Sequence, residues 1–293
     1  MAQRVLASFC NNHNPTLAIV TERDIERVIK LSPLAGVSGP IGVTGLASSA
    51  GYIFAAIQSL PPAIVVLSHD LDIIDVKLLH SIYDIHGIAA VGQTLFIVST
   101  GANQLCSTPL SFDRSLVVEF QLGMDACDRH HLNDVEVVEG RPIVSMFGAR
   151  RYGTLRSGIV YDIDARKPIL RGIREPHSPQ HYNGMLYVLE SATGDLYEHR
   201  AGLHPRRVAG FIGYPRGLSV SRGGYAVGVS GFRTISRGTI GNSRSMPLEG
   251  VGNPSFTIHR SWVYFLDPAG NVTGVVDMTE CGLEIYHVMN LSQ

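Results

Sequence analysis

The chain has 293 residues, 45% of them hydrophobic and 17% charged, which is enough apolar material for a large core and excludes a disordered chain. Its net charge of −1 excludes an overall basic field for nucleic acid or an anionic membrane, so any charge preference must be local.

The N-terminal stretch MAQRVLASFCNNHNPTLAIV is interrupted by Asn-Asn-His-Asn and lacks the apolar centre of a signal peptide. No apolar run approaches the roughly 20 residues of a membrane helix. Cys10, Cys106, Cys127 and Cys281 show no CxxC spacing, so they are expected to be free and buried in a reducing, cytoplasmic setting. Short β-rich runs then follow one another along the chain: TLAIV, YIFAAI, AIVVL, LFIVST, SLVVEF, PIVSMF, GIVYDI, MLYVLES, YAVGVSG and WVYFLD. Gly, Pro, Asn and Asp turns separate them, a pattern that predicts an all-β fold. TERDIERVIKL is the best stretch with helical period, and it reads equally well as a strand pair.

The runs repeat. Thr44, His86, Asn133, His177 and Arg216 each open a strand of about six residues, a tight turn and a second strand. The intervals between them are 42, 47, 44 and 39 residues. The next opening, Tyr286, comes 70 residues after Arg216, and an extra segment at 232–259 takes up 28 of those. The unit at Tyr286 ends after one strand, so VLASFC and TLAIV at the N-terminus must complete it. The expected fold is a six-bladed β-propeller with four strands per blade, closed by a blade shared between the two termini. It forms one domain over residues 1–293, with a lid-like insertion at 232–259; a β-sandwich or a solenoid is the alternative.

In a propeller the first strand of each blade lines the central channel. Thr44, His86, Asn133, His177, Arg216 and Tyr286 would form a ring at its mouth. His131, two residues before Asn133, would share its side if the strand continues upstream. Loops on the same face carry Arg150, Arg151 and Arg156, and Arg233, Arg237 and Arg244. With Arg216 these arginines predict a small anionic ligand, held with Asn133 and Thr44.

Two chemistries suit the ring. His86, His131 and His177 could bind one divalent metal ion, with Asp134 and Glu284 orienting them. Without metal, His86, His177 and Tyr286 could move protons while Arg216 holds a substrate carboxylate, and Glu190 is a further candidate base. The expected activity is a lyase or isomerase acting on a carboxylated or phosphorylated, sugar-like molecule. Hydrolysis of an ester or lactone and a non-catalytic propeller binding a ligand or protein stay open. No Walker loop, GxSxG elbow or dinucleotide fingerprint is present.

The elements HGI…LFIVST, HHLNDVEVVEGRP, PHSPQHYNGMLYVLES, YPRGLSV and EIYHV resemble a bacterial family catalogued as a domain of unknown function. The resemblance runs from about Asp84 to the C-terminus and implies a six-bladed propeller without a known reaction. At His287 the chain departs from the acidic residue that the resemblance implies. More distantly the architecture is similar to the gluconolactonase and strictosidine synthase superfamily. The lactonase metal ligands, a Glu and Asn/Asp set, are not matched by His, Asn, His and Arg here.

Overall fold

The computed structural model describes residues 3–123, 128–148, 157–231 and 260–291. Within them every long element is a strand, and the pairing is antiparallel throughout. β1 (Arg4–Cys10), β2 (Thr16–Thr21), β3 (Ile25–Lys30), β4 (Ser38–Ser49), β5 (Tyr52–Leu60), β6 (Ala63–Leu67) and β7 (Ile73–Leu78) lie in one sheet in the order β3-β2-β1-β4-β5-β6-β7. Four separate sheets follow in chain order, each of four sequential strands. The first holds β8 (Ile85–Val91), β9 (Thr94–Ser99), β10 (Gln104–Pro109) and β11 (Val117–Gln121). The second holds β12 (Leu132–Val138), β13 (Arg141–Met146), β14 (Gly158–Asp162) and β15 (Lys167–Ile173). The third holds β16 (Pro176–Tyr182), β17 (Met185–Glu190), β18 (Asp195–His199) and β19 (Arg206–Gly210). The fourth holds β20 (Tyr214–Ser221), β21 (Gly224–Ser230), β22 (Ser261–Leu266) and β23 (Val272–Asp277). The last strand, β24 (Glu284–Asn290), returns to pair with β1, from Val5↔Asn290 to Cys10↔Glu284.

Each expected strand run lies on a strand, and TERDIERVIKL supplies β3. The hairpins begin where the local chemistry demands. Glu139-Gly140 and Asn183-Gly184 are two-residue turns with both φ positive, the geometry that matches strand twist and favours Asn-Gly. HHLNDVEVVEGRPIVSMF is therefore a hairpin opening, β12 to β13, as the repeat required.

The inner strands carry the ring residues: Thr44 on β4, His86 on β8, Asn133 on β12, His177 on β16, Arg216 on β20 and Tyr286 on β24. Packing across the β1–β4 joint of the large sheet, and between neighbouring sheets, supplies the core. Leu6, Leu17 and Ile19 meet Val43, Leu46, Ile57 and Val65 in one buried cluster. Phe54 and Ile64 meet Ile85 and Ile97 in another. Burying each such side chain contributes about 1.5–3 kcal/mol. The outer strands β3, β7 and β11 expose one face, with Val28, Ile73, Val117 and Val118 at the surface.

Inner strands touch through backbone. A Cβ added to Gly87 would lie 2.2 Å from Asp134 Oδ1 and 2.7 Å from Asp134 Cα. Only glycine lets β8 approach β12 this closely. Side chains bind the remaining joints. Ser178 Oγ donates to the Arg216 carbonyl and Ser8 Oγ donates to the Thr44 carbonyl, the latter at 2.6 Å. The Ser8 hydroxyl also accepts the His287 N–H at 3.1 Å.

Candidate active site

The six ring side chains are all buried, and five of them, His86, Asn133, His177, Arg216 and Tyr286, meet one another. His86 Nδ1 lies 2.8 Å from Asn133 Oδ1. The Tyr286 hydroxyl donates to the same oxygen at 2.8 Å. The Tyr286 ring stands edge-on to His86 at 5.4 Å and to His177 at 6.5 Å between centroids. The Arg216 guanidinium lies over the Tyr214 ring at 5.0 Å and the Tyr286 ring at 6.0 Å.

A second tier lies two residues upstream of each ring position: Gly42, Asp84, His131, Glu175, Tyr214 and Glu284. Its members reach back to the ring or to each other. Asp84 lies 3.4 Å from His86 Nε2 and accepts from Gln58 Nε2 at 2.7 Å. The Tyr214 hydroxyl donates to Glu175 Oε2 at 2.6 Å. Glu284 accepts from Arg216 Nη1 at 3.2 Å and from Asn11 Nδ2 at 2.6 Å. Asp84, His131 and Glu175 adopt φ of 54°, 50° and 53°. A left-handed backbone in non-glycine residues costs of the order of 1–3 kcal/mol and clusters at functional sites. The extended period expected to carry His131 alongside Asn133 is broken by this turn. The His131 ring nevertheless meets His86 at 5.3 Å.

Hydrogen bonding assigns the protons. An amide oxygen only accepts, so His86 Nδ1 carries a proton toward Asn133, while Nε2 faces the Asp84 carboxylate. Burial opposes the imidazolium, but the Asp84 charge, with the Asp84 and Asn133 hydrogen bonds, raises its pKa. His177 is the opposite case. Its Nδ1 faces the Glu175 carbonyl at 3.0 Å and Ser191 Oγ at 2.7 Å. Ser191 Oγ donates to the Pro215 carbonyl, so it too accepts from Nδ1. Nε2 keeps a lone pair. Burial, then the Arg216 charge, holds this imidazole well below its ordinary pKa. Burial and the Asp134 charge raise Tyr286 well above the ordinary phenol value, so it stays a neutral donor.

Other expected site residues are committed elsewhere. The Thr44 hydroxyl donates to the His86 carbonyl at 3.0 Å and the Ile85 carbonyl at 3.2 Å, joining β4 to β8 instead of facing a ligand. Glu190 Oε1 accepts from Arg174 N at 3.0 Å and Nε at 2.9 Å, an ion pair outside the ring. Arg216 is no open clamp, since Nη1 is engaged by Glu284 and by Cys10 Sγ at 2.9 Å. Two buried donors of the ring do lack a partner among the described residues: Arg216 Nε and Asn133 Nδ2. Arg150, Arg151, Arg156, Arg233, Arg237 and Arg244, with the expected lid at 232–259, lie outside the described residues.

Cys10, Asp84, Glu175 and Tyr214 were not anticipated as site residues. The repeat holds the signal for three of them: the even offset of two that pointed to His131 points equally to DIH, EPH and YPR.

The family model described as Domain of unknown function (DUF4915) matches residues 73–292. The chain belongs to that family. No curated protein matches it. Among solved structures it is similar to one from a nidogen/laminin complex, with 11% identity, TM-score 0.65 and 98% of each chain covered. It is also similar to a Bacteroides caccae protein of unknown function, with 10% identity, TM-score 0.60 and 99% and 100% covered. A third is the calcium-binding protein regucalcin from Agrobacterium tumefaciens, with 13% identity, TM-score 0.55 and 80% and 73% covered. At these identities the likeness shows the all-β, propeller-like fold alone. No helix among the described residues is long and apolar enough to cross a membrane.

The site does not suit a calcium ion, which takes six to eight oxygen ligands. The ring presents instead a guanidinium and two imidazoles with protonated Nδ1 atoms. The expected three-histidine metal set is not assembled either. No group of three or more His, Cys, Asp or Glu side chains among the described residues is arranged to hold an ion. The Phe147 ring touches both His131, at 4.4 Å, and His177, at 5.2 Å. His86 has both nitrogens facing acceptors.

Proposed function

We propose that this family member is an acid–base enzyme that moves a proton on a small anionic substrate at the ring. The observation that carries the reading is the opposite tuning of two histidines on either side of Tyr286. His86 Nε2 faces the Asp84 carboxylate, which raises its pKa against burial, whereas His177 commits Nδ1 to Glu175 and Ser191, keeps a lone pair on Nε2, and is lowered by burial and the Arg216 charge. Environments that push two titratable groups apart assign acid and base. His177 takes a proton from carbon, the Tyr286 hydroxyl and the His86 imidazolium stabilise the charge that develops, and one of them returns a proton. Arg216 Nε and Asn133 Nδ2, buried and without partners among the described residues, supply donors for a carboxylate or carbonyl oxygen. Lyase or isomerase chemistry beside a carboxylate fits these roles. Hydrolysis of a lactone is the second reading, suggested by the likeness to the solved structure of a putative gluconolactonase, with 14% identity and TM-score 0.52, and it would use His177 to activate water.

The fold reading that underlies this is six four-stranded blades with β24, β1, β2 and β3 as the closing blade. It is supported by the β1–β24 ladder and by the single pair, Cys10↔Gly42, that joins β1 to β4.

The test is hydrogen exchange in D2O across a panel of hydroxy and sugar carboxylates, read by NMR. At least one compound should exchange a carbon-bound proton with the wild-type protein and not with His177→Ala. Exchange unaffected in that variant removes His177 as the base. Exchange with no compound, together with hydrolysis of a lactone panel, would favour the second reading.

A further inference from the structure

The N-terminal strand brings a sulfur into the ring. Cys10 ends β1 and is buried, with its Sγ 2.9 Å from Arg216 Nη1. A guanidinium can only donate, so the sulfur faces it as an acceptor, and a fixed cation at this distance favours the thiolate over the thiol. The Cys10 thiol donates to Glu284 Oε2 at 3.7 Å, which marks the acceptor for the proton it gives up. The placement is built into the backbone. A Cβ on Gly42 would lie 2.6 Å from Cys10 Cα, so a glycine opposite is what lets β1 close on β4 there. A further observation points to a ligand beside the sulfur. Arg216 Nε is a buried donor with no partner among the described residues. The ring of Tyr286 lies 6.0 Å from the same guanidinium.

The two other described cysteines form a contrast. Cys106 is buried, and desolvation with the Glu119 charge pushes its thiol up to about 11. Burial and the Glu280 charge likewise push Cys281 up. Neither has a cation on its sulfur among the described contacts.

We propose that Cys10 is a nucleophilic thiolate of the site, and that it reacts with small soft electrophiles carrying a carboxylate. The reactivity rests on the Cys10–Arg216 contact alone. The carboxylate preference rests on the anion-binding reading proposed above. With a haloacetate the sulfur–carbon bond forms, the carbon–halogen bond breaks, halide leaves, and the thiol proton passes to Glu284 or water.

Two reagents separate the two claims. Native full-length protein is treated with iodoacetamide or iodoacetate, and the modified cysteines are quantified by peptide mass spectrometry. Cys10 should be alkylated at least ~10-fold faster than Cys106 and Cys281, as expected for a thiolate beside a cation. Arg216→Gln should slow it about 10-fold, and Arg216→Lys, which keeps the positive charge, should slow it less. Iodoacetate should match or outpace iodoacetamide at Cys10, while glutathione in the same tube prefers iodoacetamide. If Cys10 stays unmodified in the native protein yet reacts after unfolding in urea, the nucleophile is refuted. If Cys10 reacts fast but prefers iodoacetamide as glutathione does, the carboxylate preference fails and the thiolate stands. If Arg216→Gln does not fold, the ratio of the two reagents in wild type decides the preference and the ranking of the three cysteines decides the reactivity.

Discussion

Histidines 86 and 177 show how little a residue type says before its neighbours are known. Both are inner-strand histidines at the same repeat position, and their sequence contexts, DIHG and EPHS, each place an acid two residues upstream. Asp84 meets His86 through its carboxylate, whereas Glu175 meets His177 through its backbone carbonyl and gives its carboxylate to Tyr214. The Asp84 charge thereby raises the pKa of one imidazole against its burial, while burial and the Arg216 charge lower that of the other. NMR titration should find His86 protonated above the ordinary value of 6.5 and His177 neutral well below it. The consequences for stability have opposite signs. Below 6.5 the unfolded chain protonates the His177 position and the folded chain does not, so stability falls as pH drops. His86 contributes stability that is present below 6.5 and lost as pH rises through its folded pKa. Urea midpoints for His177→Asn should therefore fall less on acidification than wild type, and those for His86→Asn should fall less on the alkaline side. At Arg216, replacement by Gln leaves Glu284 without its buried cation. The expected cost is about 3 kcal/mol in urea denaturation, with Arg216→Lys milder.

At the scale of elements, strand identity was legible because alternating apolar runs bounded by turn residues admit few other readings. The extended runs from TLAIV to WVYFLD became strands, and Asn183-Gly184 and Glu139-Gly140 became hairpin turns. Side-chain direction at the strand entrances was not legible. The left-handed turns at Asp84, His131 and Glu175 break the period of two, and residue type announces them only weakly, through the preference of Asp and His for that region. The contact between β8 and β12 depends on Gly87. Gly87→Ala should push Asp134 from its place beside Ser178 and cost about 1–3 kcal/mol, read from the shift in thermal midpoint. Wild-type stability in that variant would mean that the inner strands slide apart at no cost.

At the scale of the whole molecule, β1 and β24 form the joint between the two ends of the described chain. Ser8 sits at its centre, donating to the Thr44 carbonyl and accepting from the His287 amide. Ser8→Ala strands two polar groups at once. It should destabilise the protein by roughly 1–3 kcal/mol, measured by urea unfolding of the full chain. No measurable loss would show that the joint is held by its backbone ladder alone. The sequence by itself determined the strands, the spacing of their openings and the six residues placed on inner strands, since these depend on local pattern and on a repeat that counting reveals. Tertiary structure alone decided what those residues do. Which oxygen faces which ring nitrogen, that Thr44 and Glu190 are tied to the framework, and that Cys10 lies against Arg216 depend on contacts between residues as many as 206 positions apart. Protonation follows from burial and from the nearest charge, and no local pattern encodes either.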